Sequence, residues 1–253
     1  MEMNKTAFIS GATSGIGQAT ARRFAKEGLK LVICGRRLER LQALAEELSK
    51  LTEVHSLNFD VRNKKAVENS IASLPEEFSN IDILINNAGN AHGLDPMQEG
   101  DISDWDAMID INVKGLLYVS KALLPSLIKN KGQIINIGST AAKEVYPNGG
   151  VYCASKHAVD ALTIGLHIDL NKEGVRVGAV HPGMVETEFS EVRFKGDTEK
   201  ASKVYQGFRP LQADDLADIL YFVCSRPYHV NIADLVVMSV DQASSTIVNK
   251  NLN

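Results

Sequence analysis

TAFISGATSGIGQATARRFAKEG, residues 6–28, decides the fold. Thr6 to Ser10 form a short, mostly apolar run, the composition of a strand buried on both faces. Gly11-Ala12-Thr13-Ser14-Gly15-Ile16-Gly17 follows as a glycine-rich turn. From Ile16 the pattern is helical up to Gly28, which suits the left-handed position just past a helix C-terminus. A glycine-rich turn between strand and helix lets backbone N–H groups approach a pyrophosphate closely, and the helix dipole adds to the attraction. The spacing is Gly-x-x-x-Gly-x-Gly, not the usual dinucleotide fingerprint Gly-x-Gly-x-x-Gly. On these residues alone an ordinary glycine-rich turn stays open.

Outward from this unit the alternation continues. Strands are expected at 29–35, 54–59, 81–87, 133–139, 175–181 and 233–239, and helices at 39–51, 64–74, 104–130 and 151–174. Strand-helix alternation predicts an α/β, doubly wound Rossmann fold: a parallel sheet of about seven strands, helices on both faces, right-handed crossovers. No linker, repeat or compositional break divides the chain, so residues 1–253 read as a single domain. Residues 186–212 are polar and irregular after a strand, the pattern of a substrate lid or of a plain surface excursion.

The totals exclude some classes. A formal net charge of −4 argues against a general nucleic-acid binder. Cys34, Cys153 and Cys224 are scattered, with neither metal-ligand spacing nor a disulfide framework, as suits a reducing cytosol. The start MEMNKTAFISG lacks the pattern of a signal peptide, and no uninterrupted apolar run approaches the roughly 18 residues of a membrane span. A soluble cytoplasmic protein acting on a small molecule, with no membrane, nucleic-acid or metal partner, is expected.

The second strand ends at Gly35-Arg36-Arg37, with no acid before Glu39. An acid near this position takes a ribose 2′-hydroxyl, whereas a planar guanidinium suits a 2′-phosphate. Arg36 and Arg37 therefore favour NADP(H) over NAD(H). Asp60-Val61, past the third strand, either brackets the adenine or places Asp60 as a helix N-cap.

Tyr152 and Lys156 share one helix face, Ser139 ends a strand, Asn87-Ala88-Gly89 ends another, and Asn112 lies inside a long helix. In an open parallel sheet the carboxyl ends of the strands share one edge, where ligands bind. Together with Gly11-x-x-x-Gly15-x-Gly17, Asn86 and Pro182-Gly183, this set resembles the short-chain dehydrogenase/reductase family in order and spacing over nearly the whole chain. Ser10 stands where many members have Thr, and keeps the hydroxyl.

The resemblance implies the following roles. Tyr152 transfers the proton, with its pKa lowered by Lys156 and the oxidised nicotinamide. Lys156 also holds the nicotinamide ribose, Ser139 hydrogen-bonds the substrate oxygen, and Asn112 kinks its helix and anchors a water. Gly11 to Gly17, Asn87, Ala88, Gly89, Pro182, Gly183, Val185 and Thr187 line the cofactor. Members are mostly homotetramers built through the helices at 104–130 and 151–174, with residues 240–253 able to reach a neighbour.

Four stretches, 35–41, 74–78, 135–141 and 187–197, resemble more narrowly the bacterial NADP-dependent 3-hydroxy acid dehydrogenases. The chain is shorter just before Thr187 than some members. A 3-hydroxy acid needs its carboxylate held near the reacting carbon, and Arg193 in the lid is the candidate, ahead of Lys195 and Arg209. A surface salt bridge or subunit contact is the other reading of Arg193. Tyr146 lines the pocket or packs its loop. His157 and His181 are expected to serve packing, and Cys153 to be a buried small hydrophobe. Another reductase of the family and a non-catalytic NADP-sensing protein are the alternatives.

Overall fold

The computed structural model describes residues 5–251. Its elements run β1 (Thr6–Ser10), α1 (Gly15–Lys26), β2 (Lys30–Gly35), α2 (Leu38–Leu48), β3 (Val54–Asn58), α3 (Lys64–Ala72), α4 (Glu76–Ser79) and β4 (Ile83–Asn86). They continue with α5 (Ile102–Ile109), α6 (Leu116–Lys129), β5 (Gln133–Ile137), α7 (Gly150–Leu170), β6 (Arg176–Pro182), β7 (Val185–Glu186), α8 (Phe189–Arg193) and α9 (Thr198–Lys203). The last are β8 (Leu211–Gln212), α10 (Ala213–Cys224) and β9 (Asp234–Val237).

Seven strands form one parallel sheet in the order β3-β2-β1-β4-β5-β6-β9. Side chains of a strand alternate between faces, and here both faces are covered. Ala7 and Ile9 of β1, with Leu31 and Ile33 of β2, join Phe24 and Leu220 in one layer against α1, α2 and α10. Phe8 and Val32 point the other way, to Leu84, Leu123 and Ile134 beneath α3 and α6. Phe8 is fully buried, and truncating such a residue to alanine costs about 3–5 kcal/mol. Strand order reverses between β1 and β4, which opens a crevice at their carboxyl ends. Gly28, at φ +77°, follows the end of α1 in the left-handed position that the sequence predicts.

The doubly wound fold and each predicted strand are present. Two expectations need correction. Residues 186–212 are not irregular: β7 and β8 pair in parallel at the two ends of the segment, and α8 and α9 lie between them. Gly93 N–H donates to Arg193 O at 2.9 Å, and Lys195 Nζ lies 2.9 Å from Asp104 Oδ2, so the segment is fastened to the body. Second, Ile102–Lys129 is one continuous helix with mean hydropathy 1.2 over an 18-residue window, long and apolar enough by length and composition to cross a membrane. The expectation rested on an uninterrupted apolar run. In this helix Asp106, Lys114, Lys121 and Lys129 are exposed, while Leu116, Val119, Leu123 and Leu127 are buried, the last three in the domain core. Within the chain, the C-terminal segment also contacts its own body: Gln242 Oε1 accepts from Met184 N–H at 2.8 Å, and Ser245 Oγ donates to Thr140 Oγ1 at 3.1 Å. The signal-peptide reading of residues 1–4 and the reach of residues 252–253 lie outside the described residues.

Candidate active site

The cradle is built by close approach of β1 and β4. Gly11 has φ +67°, and a Cβ there would come within 2.9 Å of Ala88 Cα. A Cβ at Gly17 would fall 2.4 Å from Asn87 Nδ2. Asn87 Nδ2 donates to Ser10 O (2.9 Å) and Gly11 O (3.1 Å), and Ser10 Oγ accepts from the N–H groups of Asn87 and Ala88, both at 3.0 Å. Ser10 thus does the bracing for which only a hydroxyl is needed.

A cleft of about 430 Å³ lies over this cradle. Gly11, Thr13, Ser14, Gly15, Ile16, Arg36, Arg37, Val61, Asn87, Ala88 and Gly89 line one part of it. Ser139, Tyr152, Lys156, Pro182, Gly183, Val185 and Thr187 line the rest. Ala12 and Gly17 are buried in the turn beneath. Phe59, Asn90, Glu188 and Phe189 also line the cleft, and the sequence reading assigned them no role. Asn90 adjoins Asn87-Ala88-Gly89, and Glu188 and Phe189 adjoin Thr187, so adjacency was the available signal.

At one end of the cleft Arg37 donates to Thr13 Oγ1 (3.2 Å), Ser14 Oγ (2.6 Å) and Glu188 Oε2 (2.7 Å). Arg40 reaches the other Glu188 oxygen at 2.5 Å. Burial raises the Glu188 carboxyl, but the two guanidinium groups outweigh it and hold it below its ordinary value. Arg36 is more exposed, with Nη1 3.6 Å from Asp60 Oδ2. Asp60 is not a helix cap: Asn63 caps α3 by accepting from Ala66 N–H. The Asp60 carboxylate instead takes Arg62, and Val61 rather than Asp60 lines the cleft.

At the other end α7 presents Tyr152 and Lys156 on one face, both buried. Lys156 Nζ donates to Ile137 O at 2.9 Å, and burial brings its pKa down to about 8. Burial pushes the Tyr152 phenol above its ordinary range, and Tyr146 adds to this, while Arg193 and a hydrogen bond with Ser139 pull down. The lowering expected from Lys156 together with an oxidised nicotinamide concerns the cofactor-bound site; among the chain's own groups, burial outweighs those that pull the phenol down. Ser139 Oγ accepts from Ala141 N–H at 3.1 Å, which leaves its own proton to face the Tyr152 oxygen on the cleft side. Asn112 sits in a π-helical turn, Asp110–Gly115, between α5 and α6. Its Oδ1 accepts from Asn90 N–H, and its Nδ2 donates to Asn90 O and Ser155 Oγ, at 2.9, 2.9 and 3.0 Å. The expected local distortion is there, in a π-helical turn tied to the segment after β4 that carries Gly89 and to α7.

Arg193 is the substrate candidate that the fold brings in. Its Nη2 donates to Tyr146 Oη at 2.6 Å, and its guanidinium carbon lies 5.0 Å from the Tyr152 ring centroid and 5.6 Å from that of Phe189. Its Nε is buried without a hydrogen-bond partner. Lys195 pairs with Asp104, and Arg209 is exposed with its N–H on Asp241; neither is among the residues that line the cleft, and nor are Arg193 and Tyr146, of which Arg193 meets the cleft wall through the Tyr152 and Phe189 rings. His157 is exposed; Cys153 is wholly buried, as read. Separation in sequence hid one cluster: Asp160, His181 and Asp234 come together behind Ser139.

Residues 5–198 match the short chain dehydrogenase family. The chain is 46% identical to NADP-dependent 3-hydroxy acid dehydrogenase YdfG of Salmonella typhi, over 93% of this chain and 95% of that protein. It is 47% identical to sulfoacetaldehyde reductase 2 of Chromohalobacter salexigens, over 96% and 97%. Among solved structures, the closed form of a serine dehydrogenase complexed with NADP+ superposes with a TM-score of 0.91 at 45% identity, over 95% of this chain and 97% of that one. This chain belongs to the short-chain dehydrogenase family and is an oxidoreductase.

Proposed function

We propose that the protein interconverts small 3-hydroxy acids, such as 3-hydroxypropionate, serine or allo-threonine, and their 3-oxo forms, with NADP(H) as the hydride carrier. The observation that carries this reading is the placement of Arg193, with Tyr146, against the Tyr152 ring. A guanidinium and a phenol there can receive a carboxylate one short chain away from the reacting carbon. The relatives named for 3-hydroxy acids and serine support it.

The residues fit NADP(H). The glycine turn has room only for backbone at Gly11 and Gly17, as a pyrophosphate cradle requires, and Arg36, Arg37 and Ser14 offer donors to a 2′-phosphate. When bound, the cofactor supplies or takes the hydride. The chain's own residues do the rest. Tyr152 gives its phenolic proton to the carbonyl oxygen in reduction and accepts it back in oxidation. Ser139 donates to the same oxygen, Lys156 holds the ribose and the proton balance near Tyr152, and Asn112 fixes the backbone around Asn90. Residues 186–212 close over the substrate and bring Arg193 with them.

Leu117, Ile164 and Ile168 are exposed apolar residues on α6 and α7, which supports a homotetramer through these helices. Buried free cysteines support a cytoplasmic setting. The same guanidinium-phenol pair suits a sulfonate, and the Chromohalobacter relative makes sulfoacetaldehyde the second substrate to try.

Initial rates with 3-hydroxypropionate, serine and 3-hydroxybutyrate for oxidation, and sulfoacetaldehyde for reduction, each with phosphorylated and unphosphorylated cofactor, test the proposal. Turnover of a 3-hydroxy acid that prefers NADP+ is expected. Activity confined to uncharged carbonyls or long thioesters, or tight NADPH binding with no turnover at all, overturns it.

A further inference from the structure

His181 is wholly buried on β6, beside the end of β5 that carries Ser139. Its ring lies so close to Gly138 that a Cβ there would fall 2.2 Å from Nδ1. Nδ1 is 3.3 Å from Ser139 N and 3.2 Å from Ser139 O. Nε2 faces Asp234 Oδ1 at 3.1 Å and Asp160 Oδ1 at 3.4 Å. Neither carboxylate is aligned to complete a hydrogen bond with Nε2, so that side of the ring feels them chiefly through charge. Lys143 Nζ bridges the same two acids, at 3.0 Å from Asp160 and 2.8 Å from Asp234. The chain's own ammonium thus stands where a metal ion would be needed to neutralise the pair.

We propose that His181 is a positioning residue for Ser139, holding that strand end through Nδ1 so that the hydroxyl meets the substrate oxygen. The proposal rests on the reading of Ser139 given above. Two carboxylates draw the ring proton to Nε2, which leaves the Nδ1 lone pair to accept from Ser139 N–H. In the imidazolium, Nδ1 carries a proton and its partner becomes the Ser139 carbonyl. A single protonation therefore exchanges the backbone bond that seats Ser139. Ser139 has extended backbone, φ −174° and ψ 160°, and its side chain is otherwise held by Ala141 N–H, so a shift of that backbone moves Oγ directly.

The charged groups around the ring come from three elements: Asp160 of α7, Asp234 of β9 and Lys143 after β5. Burial and then Lys143 lower the His181 pKa from its ordinary value, against the pull of Asp234 and Asp160. The working state near neutrality is the neutral ring.

The test compares His181→Asn, His181→Leu and Ser139→Ala in the full chain. It follows kcat and KM across pH, NADPH affinity by fluorescence and thermal melting. Asn places Oδ1 near where Nδ1 was and cannot titrate. His181→Leu should lower kcat about tenfold with NADPH affinity within about twofold, because Ser139 N–H loses its buried acceptor. His181→Asn should recover most of that kcat and should lack the wild-type fall of kcat/KM on the acid side. Wild-type kcat and pH profile in His181→Leu, alongside an inactive Ser139→Ala, overturn the role of His181 alone. Wild-type turnover in Ser139→Ala overturns the reading beneath it. Should His181→Leu melt without cooperativity, the profile of His181→Asn decides: an unchanged acid-side fall overturns the proposal.

Discussion

Two arginines stand at opposite ends of the site, Arg37 in the cleft lining and Arg193 against the Tyr152 ring, and they are held in opposite ways. Arg37 is surrounded by oxygen: Thr13, Ser14 and a full carboxylate, Glu188, take its donors. Arg193 is surrounded by rings, with one phenol on Nη2 and an unpartnered buried Nε. The first has its anionic partner built into the chain. The second has no carboxylate paired with it among the described residues. A guanidinium on aromatic faces, partly desolvated, gains most from an anion that arrives with the substrate. One end is therefore organised within the chain, and the other, on the proposed function, is completed by the substrate.

The largest effect that bears on this contrast lies between the two arginines. Tyr152→Phe should cut turnover about a thousandfold while leaving NADPH fluorescence titrations near wild type, because the ring that Arg193 stacks on remains. Arg193→Ala comes next. It should raise KM for a 3-hydroxy acid about thirtyfold and leave cofactor affinity unchanged, measured by steady-state kinetics. Loss of cofactor affinity there would erase the distinction between the ends. Arg37→Ala should weaken NADPH about tenfold and NADH hardly at all, read by competitive titration. Glu188→Gln should strengthen NADPH binding about threefold at low salt, with the gain fading as salt rises, since it removes a negative charge beside the 2′-phosphate donors.

The smallest effect is a matter of pH. His181 has a lowered pKa in the folded protein, so between that value and the unfolded value near 6.5 the unfolded chain binds more protons. Its share of stability is complete above about pH 6.5 and is lost as pH falls toward the folded pKa. Melting curves of His181→Asn should be flatter than wild type over that acid range.

Much of this was legible in the chain because it is local. The glycine turn, the buried strands and the Tyr152–Lys156 pair are patterns of neighbouring residues, and the fold repeats them. The Arg36–Arg37 pair was legible in kind but not in detail: Glu188, from the far side of the cleft, decides how Arg37 is held. Helix α10 follows a polar stretch and is only three turns long, yet its Gln212–Asp215 capping box and its packing on α1 make it a full wall of the core. Short helices α8 and α9 cannot stand alone, and they form because Asp104, Gly93 and Val185 fasten their segment. The Asp160–His181–Asp234 cluster joins three separate elements, so no spacing announces it. The direction of the Tyr152 shift depends on how much solvent the fold removes, which sequence does not weigh.

Helix α7 carries Tyr152, Lys156 and Asp160 at successive turns of one stripe. Each faces a different partner: the cleft, the Ile137 carbonyl at the end of β5, and the His181–Lys143 cluster. All three are thus set by one angular phase. Inserting a single residue between Tyr152 and Lys156 would turn everything beyond it by about 100°, and would unseat Lys156 from the Ile137 carbonyl and Asp160 from the His181–Lys143 cluster together. The lid has no such phase to keep, because it is fastened at points. This enzyme can therefore accommodate changes of length in its lid while the spacing along α7 stays fixed to the residue.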